Sequence, residues 1–124
     1  MKHEGRCECH PEGRIRGLIQ PWILLLLAQS PSHGYELLEK LGSLGVRVDP
    51  GTLYRALRAW EEEGLVQSSW ETASGPARRV YTLTDSGWEY LRAWAVHLRR
   101  LRDELDRFFG TYERLKGGEE NARA

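Results

Sequence analysis

The sequence predicts a mainly helical chain of the α+β class, with a small β-hairpin and a long final helix. Three observations support this prediction. Apolar residues recur at helical spacing in three segments before residue 64, and proline or glycine stands where those segments should end. β-Branched and aromatic residues are concentrated between residues 65 and 83, which is typical of short strands. From residue 91 onward the apolar positions alternate between spacings of 3 and 4 residues, the pattern of a helix with one apolar stripe.

The first helix is expected to run from about Arg14 or from about Pro21 to Gln29. It is apolar nearly all round, so more than one of its sides should be buried. Ser30, Pro31 and Ser32 should stop it, and Ser32 is the predicted N-cap of the second helix, whose first turn contains Glu36.

Asp49 followed by Pro50 reads as the N-cap and first residue of a third helix, which should run to Glu63 and stop at Gly64. Two strands, at about 65–71 and 79–83, then flank a turn that contains Gly75 and Pro76. Thr84 can cap a final helix that reaches Leu115 or beyond. This order of elements is that of a winged helix-turn-helix domain. The predicted organisation is a flexible tail at 1–13, the winged-helix domain at 14–83, a carboxy-terminal dimerisation helix at 84–116 and a disordered tail at 117–124.

On a helical wheel the third helix has one apolar and one polar side. Leu53, Leu57 and Trp60 fall on the side that should face the core. The opposite side contains Arg55 and Arg58, with Thr52 and Tyr54 on its flanks and Glu62 near its end. Arginine forks can grip guanine edges or phosphates, and hydroxyls near a helix N-terminus can bind phosphate, so this side suits the DNA major groove. The alternative is a solvated helix whose arginines merely pair with Glu62.

The hairpin offers a second contact to nucleic acid. Arg78 and Arg79 follow the Gly75-Pro76 turn, where an arginine can follow a phosphate strand or enter a narrow minor groove. Strand alternation sends their side chains to opposite faces, so one of them, by preference Arg78, should make the contact. The alternative is a solvated hairpin charge.

Four sequence motifs in order resemble the PadR family of bacterial transcriptional regulators. They are His33-Gly34-Tyr35-Glu36-Leu37-Leu38, Asp49-Pro50-Gly51-Thr52-Leu53-Tyr54-Arg55-Ala56-Leu57, Glu63-Gly64-Leu65-Val66, and Arg78-Arg79-Val80-Tyr81-Thr82-Leu83-Thr84-Asp85-Ser86-Gly87. The resemblance implies a winged helix-turn-helix fold, a DNA partner and the third helix as recognition helix. The expected DNA contacts are Tyr35, Thr52, Tyr54, Arg55, Arg58, Arg78 and Arg79.

The final helix has the pattern of a dimer seam. Its apolar residues follow a heptad repeat, by which two helices pack knobs into holes, although the helix could instead lie on its own domain. In short PadR proteins this helix pairs with that of the partner and with the amino-terminal helix, so a homodimer that binds a palindromic operator is expected. The predicted interface residues are Trp22, Leu91, Trp94, Leu98, Leu101, Leu105, Phe108, Tyr112 and Leu115.

Two features could sense a signal. The resemblance implies that a small planar aromatic effector could bind at tryptophans of the dimer interface, here Trp22 and Trp94, although Trp94 could equally be plain core. Cys7, Cys9 and His10 carry ligand types that zinc or copper prefers, but Cys-x-Cys lacks the spacing of a structural zinc knuckle, so a free reducible tail is the alternative. His33 and His97 are interpreted as a helix-start residue and an exposed helix residue.

The composition narrows the class of protein. Lys plus Arg and Asp plus Glu both number 18, so any DNA contact must come from local placement of a few arginines. We find no nucleophile with a placed base and no phosphate-binding loop, which argues against an enzyme. The apolar run from Trp22 to Ala28 is far shorter than the ~20 residues that a membrane span needs, and no signal peptide is recognisable, so a cytoplasmic protein is expected. The sequence therefore predicts a dimeric repressor, with a metal- or redox-responsive regulator and a protein-interaction adaptor as alternatives.

Overall fold

The structure, a computed structural model, describes residues 18–73 and 75–123. Its elements in chain order are α1 (Ile19–Gln29), β1 (Ser32–His33), α2 (Gly34–Ser43), α3 (Pro50–Glu62), β2 (Val66–Glu71), β3 (Arg78–Leu83) and α4 (Asp85–Arg123). The chain divides into two compact units, Met1–Leu91 and Arg92–Ala124. The first unit contains the sheet, the first three helices and the start of α4.

Helices α1, α2 and α3 build the core of the first unit. The apolar side of each helix is buried, as the sequence patterns predict. The buried side chains are Ile23, Leu24, Leu26 and Leu27 of α1, Leu37 and Leu41 of α2, and Leu53, Leu57 and Trp60 of α3. In α1 the burial covers one broad face, while Leu25 is exposed and Trp22 is half-buried. One side of this apolar helix therefore stays open in the single chain.

The start of α2 differs from the prediction. His33, and not Ser32, is the N-cap: its Nδ1 accepts the backbone N–H of Glu36 at 3.3 Å, and its own N–H donates to Glu36 Oε1 at 3.3 Å. Ser32 is buried and belongs with His33 to a third strand that the sequence analysis missed. Two residues are too few for an alternating pattern to show, and only the pairing with β3 makes them a strand.

The N-terminus of α3 follows the prediction. Asp49 is the N-cap and Pro50 occupies the first turn. The helix ends at Glu62, one residue before the predicted end, and Gly64 has a φ of +82° there, a conformation that favours glycine.

The sheet is antiparallel with the strand order β1-β3-β2. The hairpin pairs Val66 with Leu83 at its base and Glu71 with Arg78 near its turn. Val66 and Tyr81 are buried against the helices, whereas the end near the turn is exposed. With three helices packed on this small sheet and a hairpin projecting from it, the architecture is a winged helix-turn-helix, and the predicted fold class is confirmed.

Thr84 joins the sheet to α4. Its hydroxyl donates to the carbonyl of Gly64 at 2.6 Å and accepts the N–H of Gly87 at 3.1 Å, so it is the predicted cap. The helix then continues to Arg123, through the stretch 117–123 for which the sequence predicts disorder. No proline follows Gly117 to forbid the helical conformation. Within the described part of the chain, no helix combines the length and apolar character required to cross a membrane.

Candidate nucleic-acid interface

Helix α3 presents a polar stripe opposite its buried side. Gly51, Arg55, Arg58 and Glu62 are all exposed, while Thr52 and Tyr54 on the flanks are half-buried. Leu53 and Leu57 are fully buried and fix the rotation of the helix about its axis. The two arginines therefore cannot turn inward without removing these leucines from the core.

The first turn of α3 holds a short chain of hydrogen bonds. Asp49 Oδ2 accepts the backbone N–H of Thr52 at 3.1 Å, and Asp49 Oδ1 accepts the Thr52 hydroxyl at 2.7 Å. Arg55 Nη2 donates to the same hydroxyl at 3.3 Å. The guanidinium of Arg55 is thereby held over the helix N-terminus, next to the backbone N–H groups that favour anions.

These bonds lower the pKa of Asp49 below its ordinary value of 3.8, chiefly through the hydroxyl of Thr52, then through its backbone N–H and more weakly through the charge of Arg55. Because the pKa of Asp49 is lower in the folded state, the ionised carboxylate stabilises the fold at pH values above the pKa of the unfolded chain. That contribution is lost as the pH falls through the folded pKa.

We expect Thr52→Val to raise the pKa of Asp49 back toward 3.8, because the substitution removes the hydroxyl but keeps the backbone N–H. NMR titration of the Asp49 carboxyl carbon measures this shift, and Thr82→Val, at a hydroxyl remote from Asp49, is the matched control. An unchanged pKa in Thr52→Val would show that the hydroxyl bond is not made in solution.

Tyr54 has a structural role that the sequence analysis did not foresee. Its ring lies against the backbone of Gly34 so closely that a Cβ at position 34 would overlap the ring. This contact joins α3 to the start of α2 and explains why Tyr54 is half-buried. Tyr35, by contrast, is 64% exposed and free to reach a ligand.

We expect Gly34→Ala to destabilise the protein by about 1–3 kcal/mol, because Tyr54 must shift to admit the methyl group. Gly42→Ala in the same helix is the control. A Cβ added at position 42 would meet no other side chain, so this variant should be neutral or stabilised by about 0.5–1 kcal/mol. Urea unfolding followed by circular dichroism compares the two variants. Equal stabilities would mean that the ring does not rest on Gly34.

The two arginines of the hairpin lie on opposite faces of β3, as the alternation predicts. Arg78 Nη1 lies 3.1 Å from Nε2 of His33. The guanidinium of Arg79 lies 4.9 Å from the ring centroid of Trp70, its partner across the strands. His33 and Trp70 are thus neighbours of the expected DNA contacts that the sequence analysis did not assign to the site, because the pairing that brings them there is visible only in the sheet register.

A cleft of about 600 Å³ lies where the start of α2 meets β3. It brings together three of the predicted contacts that are far apart in sequence, Tyr35, Tyr54 and Arg78. Arg79 also borders it, and Glu36 and Glu39 add negative charge. At the other end of α3 three glutamates stand in a row at 61–63. Glu61 accepts a 2.6 Å hydrogen bond from the hydroxyl of Ser68, which ties the end of α3 to β2.

The second unit is a single helical segment that carries most of the predicted seam. Trp94, Leu98 and Leu101 are half-buried, and further along the seam the exposure rises. Leu105, Phe108, Tyr112 and Leu115 are between 46% and 70% exposed. The rings of Phe108 and Tyr112 stack with centroids 6.2 Å apart, one helical turn from each other. Within residues 92–123 this row of apolar side chains has no second helix to pack against.

The residues that the sequence predicts to sense a signal are two tryptophans and the group Cys7, Cys9 and His10. Trp22 and Trp94 are both half-buried but belong to different units. Cys7, Cys9 and His10 lie outside the described residues. Among residues 18–73 and 75–123, no group of three or more His, Cys, Asp or Glu side chains could hold a metal ion.

Comparison with known proteins matches this geometry to a family. The model of the "Transcriptional regulator PadR-like family" matches residues 23–93, which span α1 to the first part of α4. The chain belongs to the PadR-like family of transcriptional regulators. It is therefore a transcriptional regulator and not an enzyme, as the sequence predicts.

Individual relatives agree. The chain is 39% identical to Transcriptional regulator Rv3488 of Mycobacterium tuberculosis over 92 residues. The aligned stretch covers 74% of this chain and 82% of that protein. A PadR family transcriptional regulator from Eggerthella lenta superposes with a TM-score of 0.67 at 30% identity, over 76% of this chain and 80% of that one. A PadR-like transcriptional regulator from Bacillus cereus gives a TM-score of 0.63 at 29% identity, over 75% and 96%.

Proposed function

We propose that this PadR-like regulator is a homodimeric, cytoplasmic repressor that binds a palindromic operator through α3 and the hairpin. The observation that carries the proposal is the polar stripe of α3, in which Arg55 and Arg58 are exposed while Leu53 and Leu57 hold the helix in place. A rigid helix with outward arginines is suited to the major groove, where an arginine fork can bind guanine O6 and N7.

The other predicted contacts are suited to different parts of the DNA. Tyr35 presents its hydroxyl near the N-terminus of α2, which suits phosphate binding. The hydroxyl of Thr52 donates to Asp49 and accepts from Arg55, so Thr52 contributes by holding the Arg55 guanidinium. Arg78 and Arg79 extend the positive surface onto the hairpin, toward the backbone or a narrow minor groove. Tyr54 supports the site by packing its ring and hydroxyl on Gly34, at the edge of the cleft that it shares with Tyr35 and Arg78.

Dimerisation is supported by the exposed apolar row of the second unit. A single helix that leaves Leu105, Phe108 and Leu115 open to water gains by pairing with a second copy, since each buried leucine or phenylalanine contributes about 1.5–3 kcal/mol. The open side of α1, with Leu25 and Trp22, offers further apolar surface. A two-fold dimer presents two α3 helices to two half-sites about one DNA turn apart.

For regulation we propose that a planar aromatic effector binds at Trp94 and its two-fold mate in the dimer, with Trp22 as a separate candidate, and releases the operator. Half-exposed tryptophans supply the flat apolar surface that such a ligand stacks on. A metal or redox signal at Cys7, Cys9 and His10 is the second candidate trigger, since Cys and His are the ligand types of zinc and copper.

The test is fluorescence anisotropy with a labelled duplex from upstream of the protein's own gene and a scrambled duplex of equal composition, at two salt concentrations. Specific binding predicts at least a hundred-fold preference for the upstream duplex, and the salt dependence counts the phosphate contacts. The preformed complex is then titrated with planar aromatic compounds and with zinc to look for release. Equal and weak binding to both duplexes, repeated with duplexes tiled across the neighbouring genes, would favour an adaptor that binds no operator.

A further inference from the structure

The ring of His33 lies between the helix-turn-helix and the hairpin, with one nitrogen facing each of them. Nδ1 lies 3.3 Å from the backbone nitrogen of Glu36, where it caps α2, and Nε2 lies 3.1 Å from Nη1 of Arg78. We propose that His33 is a positioning residue for DNA binding, whose Nε2 holds the guanidinium of Arg78 ready for a phosphate of the operator. The inference rests on the proposed DNA-binding function.

The backbone places the two side chains together. β1 pairs with β3 so that His33 stands opposite Val80, and Arg78 lies two residues before Val80 on the same face of the strand. Arg78 is exposed, so without a partner its long side chain would sample many rotamers that DNA binding must then restrict. A guanidinium has five N–H donors, so one bond to His33 leaves four for a phosphate.

The ring cannot serve both neighbours at once. A neutral imidazole has a single acceptor nitrogen, while the N–H of Glu36 and the guanidinium of Arg78 are both donors. The form with the proton on Nδ1 accepts from Arg78, and the form with the proton on Nε2 caps α2. Glu36 Oε1 lies 3.6 Å from Nε2. Arg78 therefore shifts the ring toward the Nδ1–H form.

Two substitutions separate these roles. In His33→Asn the amide oxygen can take the place of Nδ1 and keep the cap, because asparagine is a good N-cap residue, but nothing remains at the position of Nε2. In His33→Gln the longer side chain can bring its oxygen to the position of Nε2, while the cap is removed. His33→Asn should thus keep the wild-type melting temperature but lose the contact with Arg78. His33→Gln should keep the contact with Arg78 but melt at a lower temperature.

The binding experiment uses the full chain and the upstream duplex. We expect His33→Asn to weaken binding about 3- to 10-fold for each protomer, hence about 10- to 100-fold for the dimer, because each Arg78 is then ordered only on binding. The salt dependence should be unchanged. Arg78→Ala should weaken binding and also lower the salt slope, by about 0.9 for each phosphate that the protein no longer neutralises. His33→Gln should bind with the wild-type affinity, provided that binding is measured below the melting temperature of this variant. The His33→Asn/Arg78→Ala double variant should bind like Arg78→Ala alone.

Additive effects in the double variant would overturn the proposal, because they would show that His33 acts independently of Arg78. A reduced salt slope in His33→Asn would also overturn it, since His33 would then contact phosphate itself.

A second measurement needs no DNA and separates this inference from the proposed function. Long-range ¹H–¹⁵N spectra of the histidine rings report which nitrogen carries the proton. We expect Arg78→Ala to move His33 toward the Nε2–H form. Unchanged ring shifts together with normal operator binding would refute the positioning role alone. The expected shift without any operator binding by the wild type would mean that the proposed function fails, and the positioning role with it.

Discussion

Replacing Arg55 and Arg58 together with alanine is expected to weaken operator binding at least a hundred-fold while the fold stays intact. Both side chains are exposed on α3, so their truncation leaves no cavity in the core. A bidentate arginine contact to a base discriminates by about 1–3 kcal/mol, and a dimer would lose two copies of each. Anisotropy with the upstream and scrambled duplexes measures the decrease in affinity, and circular dichroism verifies the fold.

The control for this experiment must remove the same charge elsewhere. The control is the double variant Arg99→Ala with Arg100→Ala. Both arginines are exposed on α4, outside the recognition helix and the predicted seam. We expect this variant to keep at least a third of the wild-type affinity at ~0.15 M salt, where charges more than about 8 Å away are screened. Similar decreases in the two double variants would mean that bulk charge, and not the stripe on α3, attracts the DNA.

The sequence predicted most of the fold because its signals were local. Asp49-Pro50 and Gly64 marked the limits of α3 to within one residue, and Leu53, Leu57 and Trp60 identified its buried side. Each of these signals depends on a dihedral preference or a periodicity within one element.

The parts that the sequence could not predict depend on contacts between elements. The strand at Ser32–His33 exists only through its pairing with β3, and that register also sets His33 beside Arg78. The packing of Tyr54 on Gly34 is likewise invisible in either segment alone, since a helical wheel shows only that Tyr54 lies on a flank. For the candidate site, the sequence pattern predicted the arginines, and the tertiary structure shows which residues lie beside them.

Leu101→Glu is expected to convert the dimer to monomers and thereby to abolish specific operator binding. Leu101 lies in the middle of the apolar row. In the proposed dimer the carboxylate introduced at position 101 would be buried beside that of the partner subunit. An uncompensated buried charge costs about 3–5 kcal/mol, which corresponds to more than a hundred-fold increase in the dimer dissociation constant at about 1.4 kcal/mol per tenfold. Arg100→Glu, one residue away and off the row, should remain dimeric. Sedimentation velocity at micromolar concentration distinguishes the two variants, and a Leu101→Glu protein that sediments as a dimer would show that α4 pairs through another face or does not form the interface.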